Sequence, residues 1–410
     1  MNNVLEVKVG LQFGADVHSV GRLAIRDSII YFQYDEHFRQ QGIEISPFRL
    51  PLQNNVIALP VRPFEGLSGV FSDSLPDGWG RLLFDRMLRS QGISAGNTSP
   101  LDRLAHVGFF GLGALVYEPD HSLVTDGHPL NLDELAFQAE QVIHGDSTEV
   151  INELLALNGS SAGAHPKALI GVAQDYSKVI FGAGKLEKGF DPWLVKFPHS
   201  QDGKDSGAIE YLYALMAKSA GVIVPEVHLF SAEKGAGYFA IKRFDREENK
   251  RLHVHTASGL LHSDFRSPSL DYEDLLNLTG SLTKDIREVE KMFRLAVFNV
   301  LANNKDDHGK NFSFLMNDMG DWRLSPAYDL TFSSGPNGEQ STMVMGEGKR
   351  PRTEHLIKLG MEAKLPKKLI GEIIDQTKDV LTSWKDLSRG YNIDQSNIKL
   401  ISDSINRSIS

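Results

Sequence analysis

Cysteine is absent from the 410 residues of this chain, which excludes disulfides and every zinc site built on thiolates. No apolar run approaches the length needed to cross a bilayer, so no membrane partner is expected. Basic charge is in deficit as well: 43 Lys and Arg stand against 53 Asp and Glu, a formal net charge of −10. A stand-alone nucleic-acid-binding protein needs a basic footprint, which leaves DNA contact only to a local patch or to a partner. The opening residues Met1 to Lys8 lack the basic and apolar regions of a secretory signal, and a cytoplasmic location is the expectation. Internal repeats and low-complexity segments are missing too. What is present, 41% hydrophobic and 23% charged residues, is the composition of an ordinary globular protein. Its length implies two or three compact units.

The densest chemistry lies between Ala302 and Leu315. Ile286, Val289, Met292, Phe293, Ala296, Val297 and Val300 recur at helical spacing before it, and Phe312–Met316 alternates like a strand after it. Turn residues Asn317–Asp321 and a second short strand, Trp322–Leu324, complete a hairpin. Between helix and hairpin sit Asp306, Asp307, His308, Lys310 and Asn311, a loop displaying polar groups on a rigid scaffold. Asp306 precedes Asn311 by five residues, the offset between the base and the metal-binding Asn of a protein-kinase catalytic loop. Asp329 follows the hairpin, where a kinase keeps its magnesium-binding Asp. Phosphoryl transfer needs these types: one carboxylate for the hydroxyl proton, and a second with an amide oxygen for Mg²⁺. The adjacent Asp307 leaves open which of the pair is the base, and two like charges so close should raise one pKa.

Earlier stretches supply complementary parts. Residues 1–60 read as β-rich, with strand candidates Leu5–Val9, Arg22–Ile25, Ile29–Gln33 and Val56–Ala58. Asp77-Gly78 marks a turn, whose polar cluster is either a ligand site or, the reading favoured here, a structural turn packing Trp79 ahead of a helix, Leu82–Ser90. A helix over Pro100–His106 and a Gly-rich strand over Gly108–Tyr117 follow, then a linker, Pro119–Pro129, and a helix, Asn131–His144. Asn158 to Lys167 is rich in Gly, Ala and Ser, so its backbone can approach a ligand and form a nest for phosphate oxygens. It is not a Walker A loop, because Lys167 has neither the preceding Gly nor the following Ser or Thr. Lys196 ends an apolar strand after a hairpin, as a phosphate-pairing lysine does, and Glu210 lies near the start of the next helix, Ala208–Ser219. Val222–Phe230 and Tyr238–Phe244 read as strands, the second running into a polar crossover. Beyond it helices dominate: Tyr272–Thr279, His355–Leu359, Pro366–Leu387 and Asp394–Ile409.

The expectation is an α+β, bilobal, protein-kinase-like fold with a β-rich N-terminal lobe, an extra N-terminal subdomain and a helical C-terminal lobe. The expected units are residues 1–120, a core that includes the small-residue loop over 130–246, and a helical lobe over 247–410.

Leu75-Pro-Asp-Gly-Trp, Gly113-Ala-Leu, Gly163-Ala-His-Pro-Lys167, Leu194-Val-Lys-Phe-Pro, Arg243-Phe-Asp-Arg, Asn304-Lys-Asp-Asp-His-Gly-Lys-Asn-Phe-Ser and Pro326-Ala-Tyr-Asp-Leu occur in that order over most of the chain. Together they resemble the HipA family, bacterial serine/threonine kinase toxins of type II toxin–antitoxin modules. The resemblance implies ATP and Mg²⁺ as cofactors and Asp306 as catalytic base, with Asn311 and Asp329 holding the metal. His308 and Lys310 would lie beside the phosphates and Lys196 would pair with them. Ala162, Gly163, Ala164, His165 and Lys167 would cover them, while Lys242, Arg243 and Phe244 would line the adenine site. It also implies autophosphorylation at Ser160, with Ser161 adjacent, and a dimeric helix-turn-helix antitoxin that carries the DNA contact. The implied substrate is a cellular protein such as an aminoacyl-tRNA synthetase. Lys242 departs from relatives with an acidic residue there.

Two further readings stand beside this one. Asp306-Asp-His-Gly-Lys-Asn311 also resembles the loop of phosphoinositide kinases, so a small-molecule or lipid acceptor is the first. The second is a catalytically silent module that joins an antitoxin at its operator.

Overall fold

Alternation along the first strands builds the first layer. In β1 (Glu6–Leu11) Val7, Val9 and Leu11 are buried while Glu6 and Lys8 are exposed, the period-2 pattern of a sheet covered on one face. β1 joins β2 (His18–Arg26), β3 (Ile29–Tyr34), β4 (Ile57–Ala58) and β5 (Leu115–Glu118) in an antiparallel sheet of order β4-β3-β2-β1-β5. The computed structural model describes residues 4–123, 128–145, 151–158, 163–182, 186–199, 203–248, 250–267 and 269–410. The strand expected over Gly108–Tyr117 is shorter than its composition implied. Gly108 and Gly113 take φ of +52° and +77°, a left-handed backbone that turns the chain before β5 can pair. Leu101 and Leu104 of the helix Pro100–Val107 close this core, and Ser99 with Asp102 forms a capping box at its start.

The second sheet runs β7-β6-β8-β10-β9, from β6 (Lys167–Ala173), β7 (Val179–Phe181), β8 (Phe190–Lys196), β9 (Val227–Phe230) and β10 (Tyr238–Lys242). β6 is buried almost throughout because both faces are covered. Leu83 and Phe84 of the helix Gly78–Ser90, Leu135 and Leu155 pack with Ala168, Ile170 and Val172. On the other face Ala214, from the helix Ser206–Ser219, packs with Phe239 and Ile241. The helix Gly78–Ser90 therefore leaves the first sheet behind and rests on the second. Only the last part of Val222–Phe230 is strand, since residues 222–226 carry no ladder and Pro225 has no N–H to donate. The strand after it ends at Lys242, short of the expected Phe244.

A two-residue ladder, β11 (Arg246–Glu247) with β12 (Lys250–Arg251), leads into the three-stranded sheet β13 (His253–Thr256), β14 (Ser313–Met316) and β15 (Trp322–Leu324). Helices Tyr272–Thr283, Ile286–Leu301, Thr353–Glu362, Lys367–Thr382 and Gln395–Ile409 surround a core centred on Met292, Phe293, Ala296 and Phe298. The helix expected to run unbroken from Pro366 to Leu387 is interrupted at Ser383. There the Ser383 hydroxyl donates to Val380 O at 2.6 Å, and Trp384 turns inward to donate from Nε1 to Ile398 O at 3.2 Å. Sheets over the first half and helices over the second make an α+β fold. Among the described residues no helix is long and apolar enough to cross a membrane.

Candidate active site

β6 and β8 pair so that Lys167 stands directly opposite Lys196. Two lysines in that register ordinarily repel, so the arrangement needs acidic company. Lys196 Nζ donates to Glu210 Oε1 at 2.6 Å and is ion-paired with Asp329. Burial works against the Lys196 charge, but Asp329 and Glu210 override it and hold its pKa above the ordinary lysine value. Lys167 has weaker support: burial first, then Lys196, brings it down to about 8, with Asp329, Asp77 and Glu210 opposing. Burial would push the Asp329 carboxyl up, yet Lys196 and Lys167 keep it well below the usual range. Asp329 also adopts φ of +58°, a left-handed conformation that Asp tolerates better than most residues. Glu210, raised by burial despite Lys196, is thus the lysine's anchor and more than a helix-start residue.

The loop after the helix Ile286–Leu301 separates its two aspartates. Asp306 is exposed at the cleft; the surrounding protein raises its carboxyl, His308 lowers it, and Asp329 raises it further. Asp307 is fully buried and points away. Its Oδ2 accepts from Tyr272 OH at 2.6 Å and Gln340 Nε2 at 3.0 Å, and its Oδ1 from Thr342 N at 3.1 Å. Asn299 Nδ2 donates to the same Tyr272 hydroxyl at 3.0 Å, and Asn304 Nδ2 to Asn299 Oδ1. Burial lifts Asp307 to about 7. The like-charge effect expected from Asp306 is not its cause. Asp307 is a strut that pins the loop to the segment after Asp329.

Asn311 donates from Nδ2 to Asp306 O at 2.7 Å, so its side-chain oxygen is not engaged in that bond. His308 lies 5.3 Å from the Phe265 ring, and its Nδ1 is buried with no hydrogen-bond partner among the described residues. Lys310 Nζ sits 4.6 Å from the same ring and donates to Asp77 Oδ2 at 2.6 Å. The sequence favours a structural turn at Asp77, packing Trp79, over a ligand site. Asp77 also accepts from Gly163 N, while Trp79 N donates to Gly163 O at 3.0 Å. The turn does pack Trp79, which is buried, but it grips the small-residue loop as well.

Gly163, Ala164, His165 and Lys167 thus arrive at the cluster, with His165 acting electrostatically on Asp306, Asp329 and Glu210. Ala162, Ser160 and Ser161 lie outside the described residues. Lys242, Arg243 and Phe244 stand further off. Lys242 Nζ donates to Asp191 Oδ2 at 2.6 Å, Arg243 pairs with Asp245, and the Phe244 ring lies 5.4 Å from that of Tyr328, next to Asp329. A hollow of about 370 Å³ borders all three together with Ile223, Pro326 and Ala327, and neither Lys196 nor Asp329 lines it.

Comparison with known proteins places the chain in a family. Over 329 residues, 72% of this chain and 68% of the relative, it is 27% identical to the serine/threonine-protein kinase toxin HipA of Shewanella oneidensis. A solved complex of HipA, HipB and operator DNA from that organism contains a chain of the same fold. Its TM-score is 0.70 at 19% identity, with 99% of this chain and 96% of that one covered. The HipA N-terminal domain matches residues 13–118. The HipA-like C-terminal domain matches residues 159–384, more than half of the sequence and the whole of the lysine–carboxylate cluster, and the chain belongs to the HipA family.

Proposed function

We propose that this protein is an ATP-dependent serine/threonine protein kinase acting as the toxin of a toxin–antitoxin pair. The observation that carries the reading is Lys196 held between Glu210 and Asp329, with Asp306 and Asn311 on the adjoining loop. A lysine anchored by a helix carboxylate, a metal-binding Asp and a loop Asp–Asn pair are the parts that position ATP for in-line transfer. Asn311 offers an amide oxygen and Asp329 a carboxylate kept ionised, a hard-oxygen pair suited to Mg²⁺. The unpartnered Nδ1 of His308 fits a site with room for a phosphate. Bound Mg²⁺ would neutralise phosphate charge as the γ-phosphoryl leaves.

The chain's own residues do the rest. Lys196 orients the phosphates, and Asp306 accepts the proton of the acceptor hydroxyl. Lys242, Arg243 and Phe244 border the adenine, and Lys167 with the small-residue loop covers the phosphates. The acceptor is a serine or threonine of a cellular protein, an aminoacyl-tRNA synthetase being our first candidate. The partner is a HipB-like helix-turn-helix antitoxin that brings the complex to DNA, in the cytoplasm. Autophosphorylation at Ser160 or Ser161 would add about −1.5 to −2 charges to the phosphate cradle and weaken ATP binding. Incubation with labelled ATP and Mg²⁺, followed by phosphosite mapping, tests the transfer and its acceptor. Label confined to small molecules or lipids would redirect the reading, and no transfer at all would leave a silent module.

A further inference from the structure

Asp77 is the N-cap of the helix Gly78–Ser90, yet its side chain makes no cap hydrogen bond to that helix. An Asp at this position ordinarily accepts from the first free N–H groups of its own helix. Here the carboxylate is turned outward instead. It takes the Gly163 N–H and the Lys310 ammonium, two groups 86 and 233 residues away in sequence. The contact is enclosed, with the Asp77 side chain about 15% and that of Lys310 about 9% exposed. The backbones are pressed together at the same place: a Cβ added to Gly78, at φ of +44°, would lie 2.5 Å from Gly163 O. Asp77 also acts electrostatically on Lys167, which in turn feels Lys196 and Asp329.

A backbone N–H of a small-residue loop and a neighbouring lysine are the donors a phosphate would use. We propose that the Asp77 carboxylate takes the place of a phosphate on these two donors. It latches the loop at Gly163 to the catalytic loop at Lys310, and the phosphates of ATP must displace it from both. The latch belongs to the segment preceding the second sheet, so the N-terminal part of the chain sets how readily the cleft takes nucleotide. This inference rests on the kinase reading above and adds to it an acid that competes with the substrate. A carboxylate that merely positioned Lys310 for catalysis would have the opposite sign, since its removal would weaken ATP binding or turnover.

The test is calorimetric titration of Mg-ATP into the full chain, wild type against Asp77→Asn and Asp77→Ser. Both substitutions keep a residue favoured at an N-cap and remove the negative charge, and Ser is too short to reach Lys310. The expected result is a fall in Kd of about tenfold in both variants, equivalent to about 1.4 kcal/mol. Unchanged or weaker ATP binding in a variant that unfolds at the wild-type temperature would overturn the latch. Should one variant fail to fold, the other carries the comparison. Wild-type protein that binds no Mg-ATP would instead overturn the kinase reading, and the latch with it.

Discussion

Asp306 and Asp307 are neighbours in opposite surroundings, one exposed and one fully buried, and replacing each by Ala should separate them. Asp307→Ala would strand the hydroxyl of Tyr272, the amide of Gln340 and the N–H of Thr342, all now donating to one fully buried carboxylate. An unsatisfied buried donor costs roughly 1–3 kcal/mol. Because water can enter the space left behind, the three together should cost about 3–5 kcal/mol. Asp306 is exposed, so its replacement should move stability by no more than about 0.5 kcal/mol. Phosphoryl transfer, however, should drop by a factor of about 10² to 10⁴.

The two losses can be read in one experiment each: urea unfolding for stability, and single-turnover transfer from labelled ATP at a temperature where both variants are folded. A pH arm sharpens the first. Burial lifts the folded Asp307 carboxyl to about 7, above its unfolded value of about 3.9. Between those values the folded chain holds a proton that the unfolded chain releases. The Asp307 contribution is therefore present in full below about pH 4 and fades as pH rises through 7. Wild type should be favoured over Asp307→Ala by roughly 2–3 kcal/mol more at pH 5 than at pH 8. The reasoning is refuted if Asp307→Ala unfolds like wild type, or if folded Asp307→Ala loses more transfer than Asp306→Ala.

Three further outcomes follow from the same geometry. Asp329→Asn, which tolerates the left-handed backbone, should fold normally and lose Mg²⁺-dependent transfer; near-wild-type turnover at saturating Mg²⁺ would remove Asp329 from the metal site. Glu210→Gln should leave Lys196 paired only with Asp329, raising the KM for ATP and lowering kcat by about tenfold or more, and unchanged kinetics would make Glu210 a helix-start residue after all. His253 is fully buried, with Nε2 2.9 Å from Ile45 O, and burial followed by His255 depresses it to about 3. Because the unfolded chain takes up that proton near pH 6.5, wild-type stability should fall from pH 6.5 towards 4 by roughly 2–3 kcal/mol relative to His253→Gln, and parallel pH profiles in urea unfolding would contradict this.

What was legible in the sequence was what chain neighbours decide. The helix, the polar loop and the hairpin around Asp306 form a contiguous signal, and Lys196 and Glu210 lie on a strand and the helix that follows it. Periodicity reports which face of an element is buried, and so the fold class could be read. It does not report what lies across the interface. Gly108 and Gly113 read as strand residues because composition does not carry the sign of φ, and Trp384 broke a continuous helix for the sake of a partner at Ile398.

Asp307 shows the same limit at the site. Two adjacent aspartates look alike in a sequence, and buried donors about 35 residues away on either side, Tyr272, Gln340 and Thr342, tell them apart. The pKa argument from like charges named an interaction that does exist in general, but burial outweighed it. Asp77 was missed for a stronger reason, since its local context has a complete explanation of its own: an Asp before a helix is a cap, and Asp-Gly is a turn. A dissonant residue next to it was Gly78, a poor helix former placed at the first helical position. A glycine there is costly unless something must come close, and what comes close is the backbone of Gly163. Where a local rule is broken next to a residue that obeys one, the partner responsible lies elsewhere in the chain.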